Sequence, residues 1–163
     1  MRFLLLMFVL QTVPSGNGWC SGSRVYSAEN LFSVADANPW ATKGSAVGQS
    51  ITIGIARPAN RSGSELPTID SLFISIGYVS YAKPYLYEAN SRPKTIRISD
   101  LNGGFSTNVR LADTPRIQNI TLPLPTTGVK IEVVSIYPGT QWQDTCVNMI
   151  LPYGVNPQMQ GGN

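Results

Sequence analysis

Apolar residues that alternate with polar ones along short segments are the feature that most constrains the fold of this chain. In one segment, Val129, Ile131 and Val133 alternate with Lys130 and Glu132. A period of two places the apolar side chains on one face of an extended strand, so the pattern predicts a half-buried β-strand. The pattern recurs along the chain, at 51–55, 72–76, 96–99, 105–111, 120–124, 129–133 and 147–151.

Turn-forming residues separate these segments. Asn102-Gly103-Gly104 joins two alternating runs and predicts a hairpin. The chain has 15 glycines and 12 prolines, which disfavours long helices. Only Ser27–Phe32 predicts a short turn of helix, with Ser27 as its cap. Seven or eight short strands joined by turns predict an all-β sandwich or jelly roll.

The N-terminus predicts a signal peptide over residues 1–22. Met1-Arg2 is a short basic start, Phe3–Leu10 is a run of eight apolar residues, and small or helix-breaking residues follow. The run is too short to span a bilayer, which needs about 20 apolar residues. The alternative is a buried N-terminal strand. The leader predicts a secreted or periplasmic location.

The remainder is enough for one domain, which we assign to residues 23–152, followed by a flexible tail at 153–163 that is rich in Gly, Asn and Gln. No further apolar segment suggests stable membrane insertion. The basic residues are scattered, whereas a nucleic-acid-binding protein concentrates them on one face. We therefore expect no nucleic-acid partner.

Two cysteines, Cys20 and Cys146, are present in the sequence. In an oxidising compartment an even number favours a disulfide, which would join the two ends of the domain. The alternative is a buried thiol at Cys146, with Cys20 lost with the leader or lying close to the cleavage site.

The sequence lacks the usual catalytic groups. It contains no histidine, which excludes Ser-His-Asp and Cys-His triads and most zinc sites. A glycosidase needs two carboxyl groups facing each other across a cleft, and none of the nine acidic residues recurs in such a pair. We therefore expect a protein that is not an enzyme and carries no cofactor.

Aromatic residues and amides gather in the loops. Tyr78 and Tyr85 lie in a polar segment between two strands, and Trp142 is surrounded by Gln141, Gln143 and Asp144. An exposed ring stacks on the apolar face of a sugar, whereas a buried ring fills the end of a sandwich. The polar neighbours of Trp142 favour exposure at the rim, with Cys146 pointing inward. Trp40 is expected in the core.

Several segments carry a family resemblance. The run YSAENLFSVADANPW, residues 26–40, resembles the first loop of discoidin domains. The runs GSAVGQSITI, ISIGYVSYAKPYLYEANSRPKTIRIS and VKIEVVSIYPGTQWQDTCVNMI resemble the NADase-type glycan-binding domain, a discoidin-like translocation module of streptococcal NAD glycohydrolase. The resemblance covers about residues 26–151.

The resemblance implies a galactose-binding-like (discoidin) jelly-roll β-sandwich of about eight strands with no catalytic site. The NAD-cleaving activity belongs to a different domain. The implied ligand is a glycan or another cell-surface ligand, bound by loops at one end of the sandwich. The implied ligand-binding residues are Tyr78, Tyr85, Asn90, Arg92, Tyr137, Trp142 and Asp144.

In that family-based hypothesis Arg92 donates a fork of hydrogen bonds, Asn90 and Asp144 orient hydroxyl groups, and Tyr85 and Trp142 supply stacking faces. The first loop of discoidin domains often holds structural calcium, but Ser33 replaces its usual aspartate here, which leaves Asp36 as the remaining carboxylate. The expectation is therefore no metal. The alternative function is an interaction or adhesion module whose same loops dock a protein.

Overall fold

The computed structural model describes residues 8–11, 26, 28–32, 38–55 and 67–154. In these ranges the chain forms nine β-strands: β1 (Phe8–Gln11), β2 (Trp40–Ala41), β3 (Ser50–Ile55), β4 (Ile69–Ile76), β5 (Arg92–Asp100), β6 (Ser106–Arg110), β7 (Gln118–Thr126), β8 (Gly128–Tyr137) and β9 (Cys146–Tyr153). A 3-10 helix, Ala28–Phe32, lies where a short helical turn was predicted, and one turn of α-helix, α1, spans Leu86–Ala89.

The strands form two antiparallel sheets. One has the order β1-β3-β8-β5-β6 and the other β2-β9-β4-β7. This arrangement confirms the predicted all-β sandwich. The apolar positions of the alternating segments fill the space between the sheets, with Ile53, Ile98 and Val129 from one sheet and Leu72 and Ile74 from the other each at most 2% exposed. Burying a side chain of this size contributes about 1.5–3 kcal/mol.

Two of the predicted strand faces are wrong in detail, in each case because the register shifts. The β4–β7 register shifts between Ile69 and Ser71, and Leu124, predicted inward, is 53% exposed between two prolines. The β4–β9 register shifts between Ser75 and Ile76. As a result Ile150, rather than Leu151, joins the core. A bulge adds a residue to one strand and turns the following side chains to the opposite face.

The N-terminal strand β1 pairs with β3. Residues 8–11 are thus a β-strand, which was the alternative to a leader in the sequence analysis. Removal of a leader stays a prediction. Tyr153, the first residue of the predicted tail, ends β9, and residues 155–163 lie outside the described residues. Cys146 is buried as expected, whereas Cys20 lies outside the described residues and the disulfide stays a prediction. No helix in the described ranges is long and apolar enough to cross a membrane.

Candidate functional site

Four connecting segments meet at one end of the sandwich, which we call the loop end: 42–49, 77–91, 111–117 and 138–145. Backbone hydrogen bonds join three of them, 42–49, 77–91 and 138–145, and the Asp113 side chain joins 111–117 to Tyr87 and Arg92. Thr42 N–H donates to the Thr145 carbonyl at 3.0 Å, and Ser91 N–H donates to the Asp144 carbonyl at 3.0 Å. All seven residues that the resemblance implied as ligand-binding lie in these segments or at the strand ends beside them.

The turn 138–144 is seated on the last turn of α1. The N–H groups of Thr140, Gln141 and Trp142 donate to the carbonyls of Glu88 and Ala89 at 2.8–3.1 Å. The final carbonyls of a helix have no partner inside it, so this turn caps α1. Gly139 makes the approach possible, because a Cβ there would lie 2.4–2.5 Å from backbone atoms of Ala89, Asn90 and Trp142.

Ser91 fixes the turn from its other side. Its hydroxyl accepts the Gly139 N–H at 3.0 Å and lies 3.3 Å from the Trp142 carbonyl, to which it donates. An isolated parallel bridge joins Ser91 to Thr145. The backbone that carries Trp142 is therefore held from both sides before any ligand arrives.

Arg92, which the resemblance implied as a donor to ligand, is 8% exposed. Its Nε and Nη2 donate to the two carboxylate oxygens of Asp113 at 2.5 and 2.7 Å, and its Nη1 donates to the carbonyls of Tyr87 and Asn90. The guanidinium carbon lies 4.7 Å from the centre of the Tyr87 ring and 5.7 Å from that of Tyr137. Four of its five N–H groups thus have protein partners, and the residue holds the loop end together.

The carboxylate of Asp113 completes this cluster. It also accepts the phenol O–H of Tyr87 at 3.0 Å. The hydrogen bonds from Arg92 lower the pKa of Asp113 below its ordinary range, against the opposing effect of partial burial. Burial, followed by the hydrogen bond to Asp113, raises the pKa of the Tyr87 phenol. Both shifts favour the charge states in which the cluster is intact at neutral pH.

The lowered pKa of Asp113 predicts a dependence of stability on acid. A carboxyl group whose pKa is lower in the folded state adds stability above its unfolded pKa, about 4, and that stability is lost as the pH falls. We expect Asp113→Asn to lower the free energy of unfolding at pH 7 and to lose less of it than the original chain between pH 6 and pH 2. Urea unfolding at several pH values measures both, and parallel pH profiles would contradict the expectation.

Asn90 and Asp144 are also engaged with the protein. Asn90 is 7% exposed, and its side-chain amide donates to the Leu86 carbonyl at 2.9 Å, which caps α1. The Oδ1 atom of Asp144 accepts the Gly44 N–H at 2.7 Å, so this exposed carboxylate connects the turn 138–144 to the segment 42–49. A carboxylate has about four acceptor positions, so Asp144 keeps capacity for ligand hydroxyls.

The tyrosines at the loop end are of two kinds: some donate their phenol to a protein acceptor, and others have an exposed ring. Tyr137 donates its phenol to the Leu111 carbonyl at 2.9 Å, with Lys94 Nζ 5.6 Å from its ring centre. Tyr78 donates to Asn38 Oδ1 at 3.1 Å, packs edge-on against Tyr26, and has its pKa raised by burial. Tyr81, Tyr85 and Trp142 are 90%, 56% and 44% exposed. Trp40 is buried and Trp142 lies at the rim, as predicted.

Three residues that matter at the loop end were not predicted from the sequence: Tyr87, Ser91 and Asp113. Asp113 lies in a turn-rich stretch where aspartate is ordinary, and nothing in its spacing from Arg92 marks the pair. Among the described residues, no group of three or more carboxylates and cysteines could hold a metal ion. Asp36 lies outside those residues, and the expectation of no metal stays a prediction.

Two stacked antiparallel sheets with the connecting loops gathered at one end define a discoidin-like β-sandwich module. Residues 13–152 match the family described as the NAD glycohydrolase translocation F5/8 type C domain. Because the match spans most of the chain, the chain belongs to this family, as the resemblance indicated.

Solved structures share the fold at low sequence identity. CBM32-1 from a family 31 glycoside hydrolase of Clostridium perfringens is 14% identical with a TM-score of 0.55, over 88% of this chain and 93% of that one. The arabinofuranosyltransferase AftD from Mycobacteria is 18% identical with a TM-score of 0.53, over 81% of this chain but 10% of that one. This chain thus corresponds to a small part of the transferase. Comparison with curated protein sequences finds no match.

Proposed function

We propose that the chain is an extracytoplasmic, non-catalytic module that binds a glycan at the loop end. The observation that carries the proposal is the exposure of the Trp142 and Tyr85 rings on backbone segments that are held by hydrogen bonds. A ring on a fixed backbone loses little conformational freedom when a ligand binds, so more of the contact energy appears as affinity.

The surroundings of Trp142 suit hydroxyl groups. Gln141, Gln143 and Asp144 are exposed beside it, and Glu88 is exposed on α1 where the turn is seated. Amides and carboxylates both pair with hydroxyls, each such net hydrogen bond contributing about 0.5–1.5 kcal/mol. Together with one stacked ring at about 1.5–3 kcal/mol, this predicts weak binding, with a Kd near 1 mM for a single site.

In our proposal Arg92 and Asn90 hold the backbone that carries the site and do not contact the ligand themselves. Their donors are directed to Asp113 and to backbone carbonyls, so they position α1 and the turn 138–144. Tyr78 and Tyr137 hold neighbouring loop segments. Direct ligand contact then falls to Tyr85, Trp142 and Asp144, which is a smaller set than the resemblance implied.

The non-catalytic part of the proposal draws on the chemistry of the acids at this end. Asp113 is paired with Arg92, Asp144 accepts the Gly44 N–H, and the chain has no histidine that could serve as a general base. The membership of an F5/8 type C family, the fold shared with CBM32-1, and the apolar N-terminal run support an extracytoplasmic binding module.

A glycan array, followed by titration of the strongest binder, tests the proposal. We expect Trp142→Ala and Tyr85→Ala each to weaken binding by about tenfold or more, because each removes a ring worth about 1.5–3 kcal/mol. The matched control is Tyr153→Ala, which removes an exposed ring at the opposite end of the sandwich. A blank array, or equal losses in all three variants, would contradict the proposal.

The alternative is a protein-docking surface at the same loop end. Its supporting observation is Tyr81, which is 90% exposed in the segment that leads to α1 and adds a third ring to the aromatic surface. In glycan recognition Tyr81→Ala should leave affinity within about twofold. A blank array together with a defined protein partner whose binding depends on Tyr81, Tyr85 and Trp142 would favour docking instead.

A further inference from the structure

The four edges of the two sheets differ in how they resist pairing with another strand. An edge strand exposes unpaired N–H and C=O groups, and proteins protect it with short length, proline or charge. In the four-stranded sheet, β2 has two residues and β7 carries Pro123 and Pro125. At one edge of the five-stranded sheet, β6 is five residues long and carries Arg110. Each of these three edges has a protective feature of its own sequence.

The strand β3 has none of these features. Its sequence, SITIGI, contains neither charge nor proline, and it is protected because β1 lies along it. The two strands pair antiparallel, with Val9 opposite Gly54 and Gln11 opposite Thr52. The segment that covers the edge therefore lies within the predicted leader, residues 1–22.

The direction of the β3 backbone groups follows from its other neighbour. Ile55 N–H donates to the Thr127 carbonyl on the β8 side at 2.9 Å. Because the groups alternate along an antiparallel strand, those of Ile51 and Ile53 point the same way, and those of Thr52 and Gly54 point toward β1. Without β1, two donors and two acceptors at Thr52 and Gly54 would face outward.

We propose that the β3 edge is a self-association surface, on which two copies of this chain pair when β1 does not cover it. Two β3 strands related by a two-fold axis place Thr52 of each copy opposite Gly54 of the other, with Ile53 at the centre. The outward groups then satisfy one another, and no like charges meet, because SITIGI is uncharged. Such a contact is isologous, so it closes as a dimer and joins the sheets of the two copies.

In this proposal the presence or absence of the N-terminal segment decides whether two copies of the chain can pair. While β1 is present, the outward groups of β3 are paired and the outer edge is a strand of only four residues, so the intact chain is expected to be monomeric. Loss of residues 1–22, by the predicted cleavage, would remove β1 and leave the edge open to a second copy. The inference does not depend on glycan binding, since the β3 edge is distinct from the loop end.

The test uses the full chain, made by cell-free synthesis without membranes so that the N-terminus is retained, and checks its mass. Val9→Pro removes an N–H that points toward β3, whereas the matched control, Leu10→Pro, removes one that points away. Light scattering should give 17.7 kDa for the original chain and for Leu10→Pro, and twice that mass for Val9→Pro. Adding Thr52→Pro to Val9→Pro removes an edge donor and should restore the monomer.

Hydrogen exchange supplies a readout that needs no variant. In the original chain the Thr52 and Gly54 amides should exchange slowly, because β1 accepts them. Exchange at these two amides as fast as at the exposed loop residue Tyr81 would overturn the proposal. A folded, monomeric Val9→Pro chain, or dimers formed equally by Val9→Pro and Leu10→Pro, would overturn it as well.

Discussion

Replacing Arg92 by alanine should lower the free energy of unfolding by about 3 kcal/mol, several times what removing a charge from an exposed ion pair costs. Breaking a buried ion pair costs about 3–5 kcal/mol, because one charge is left without its partner. The Asp113 side chain is 37% exposed, so water recovers part of that cost and the expected value is at the low end. Chemical denaturation at pH 7 measures the difference.

The matched control is Arg97→Ala. Arg97 also pairs with a carboxylate, Glu132, at 3.1 Å, but its side chain is 43% exposed. Exposed pairs contribute about 0–1 kcal/mol, so the control should lose no more than that. Arg92→Lys keeps the charge but not the two-pronged geometry and should lie between the two. If Arg92→Ala kept its stability and lost only ligand binding, Arg92 would be the ligand donor that the resemblance implied.

Replacing Gly139 by alanine should cost about 2–3 kcal/mol of stability and should also weaken ligand binding. The added Cβ would lie within 2.5 Å of three backbone atoms, which cannot move aside as the end of a flexible side chain can. Overpacking of this kind costs about 1–3 kcal/mol. The turn 138–144 must separate from α1, and the hydrogen bonds from Thr140, Gln141 and Trp142 are then strained or lost. Chemical denaturation measures the loss of stability, and glycan titration measures the loss of affinity.

Gly54→Ala is the control for the glycine substitution itself. The nearest atom to a Cβ at that position is the Thr127 carbonyl oxygen at 4.0 Å, an ordinary contact. Its stability should therefore change by no more than about 0.5 kcal/mol. A Gly139→Ala chain as stable as Gly54→Ala would show that the turn is not seated on α1 as described.

The sequence predicted only part of the role of the turn 138–144. The residues around Trp142 indicated a ring at the rim, and the burial of Trp40 and Cys146 was also predicted correctly, because polar or apolar neighbours report which side of a strand end faces water. The contact with α1 was not predicted, since Leu86–Ala89 is a single turn of helix without a periodic pattern. The capping N–H groups come from the turn 138–144, where Thr140 lies 52 residues beyond its acceptor Glu88.

By itself, the sequence determined the two-sheet sandwich, most of its strands and the inward face of most of them. Alternation is a local property of extended backbone, so it can be recognised wherever it occurs. Tertiary structure alone decided that Arg92 pairs with Asp113, that bulges turn Leu124 and Leu151 from their predicted faces, and that residues 8–11 lie along β3. Each of these depends on which distant segment lies opposite. Hydrogen-bonding and charged groups find their partners by proximity in space, and a local sequence pattern does not encode that proximity.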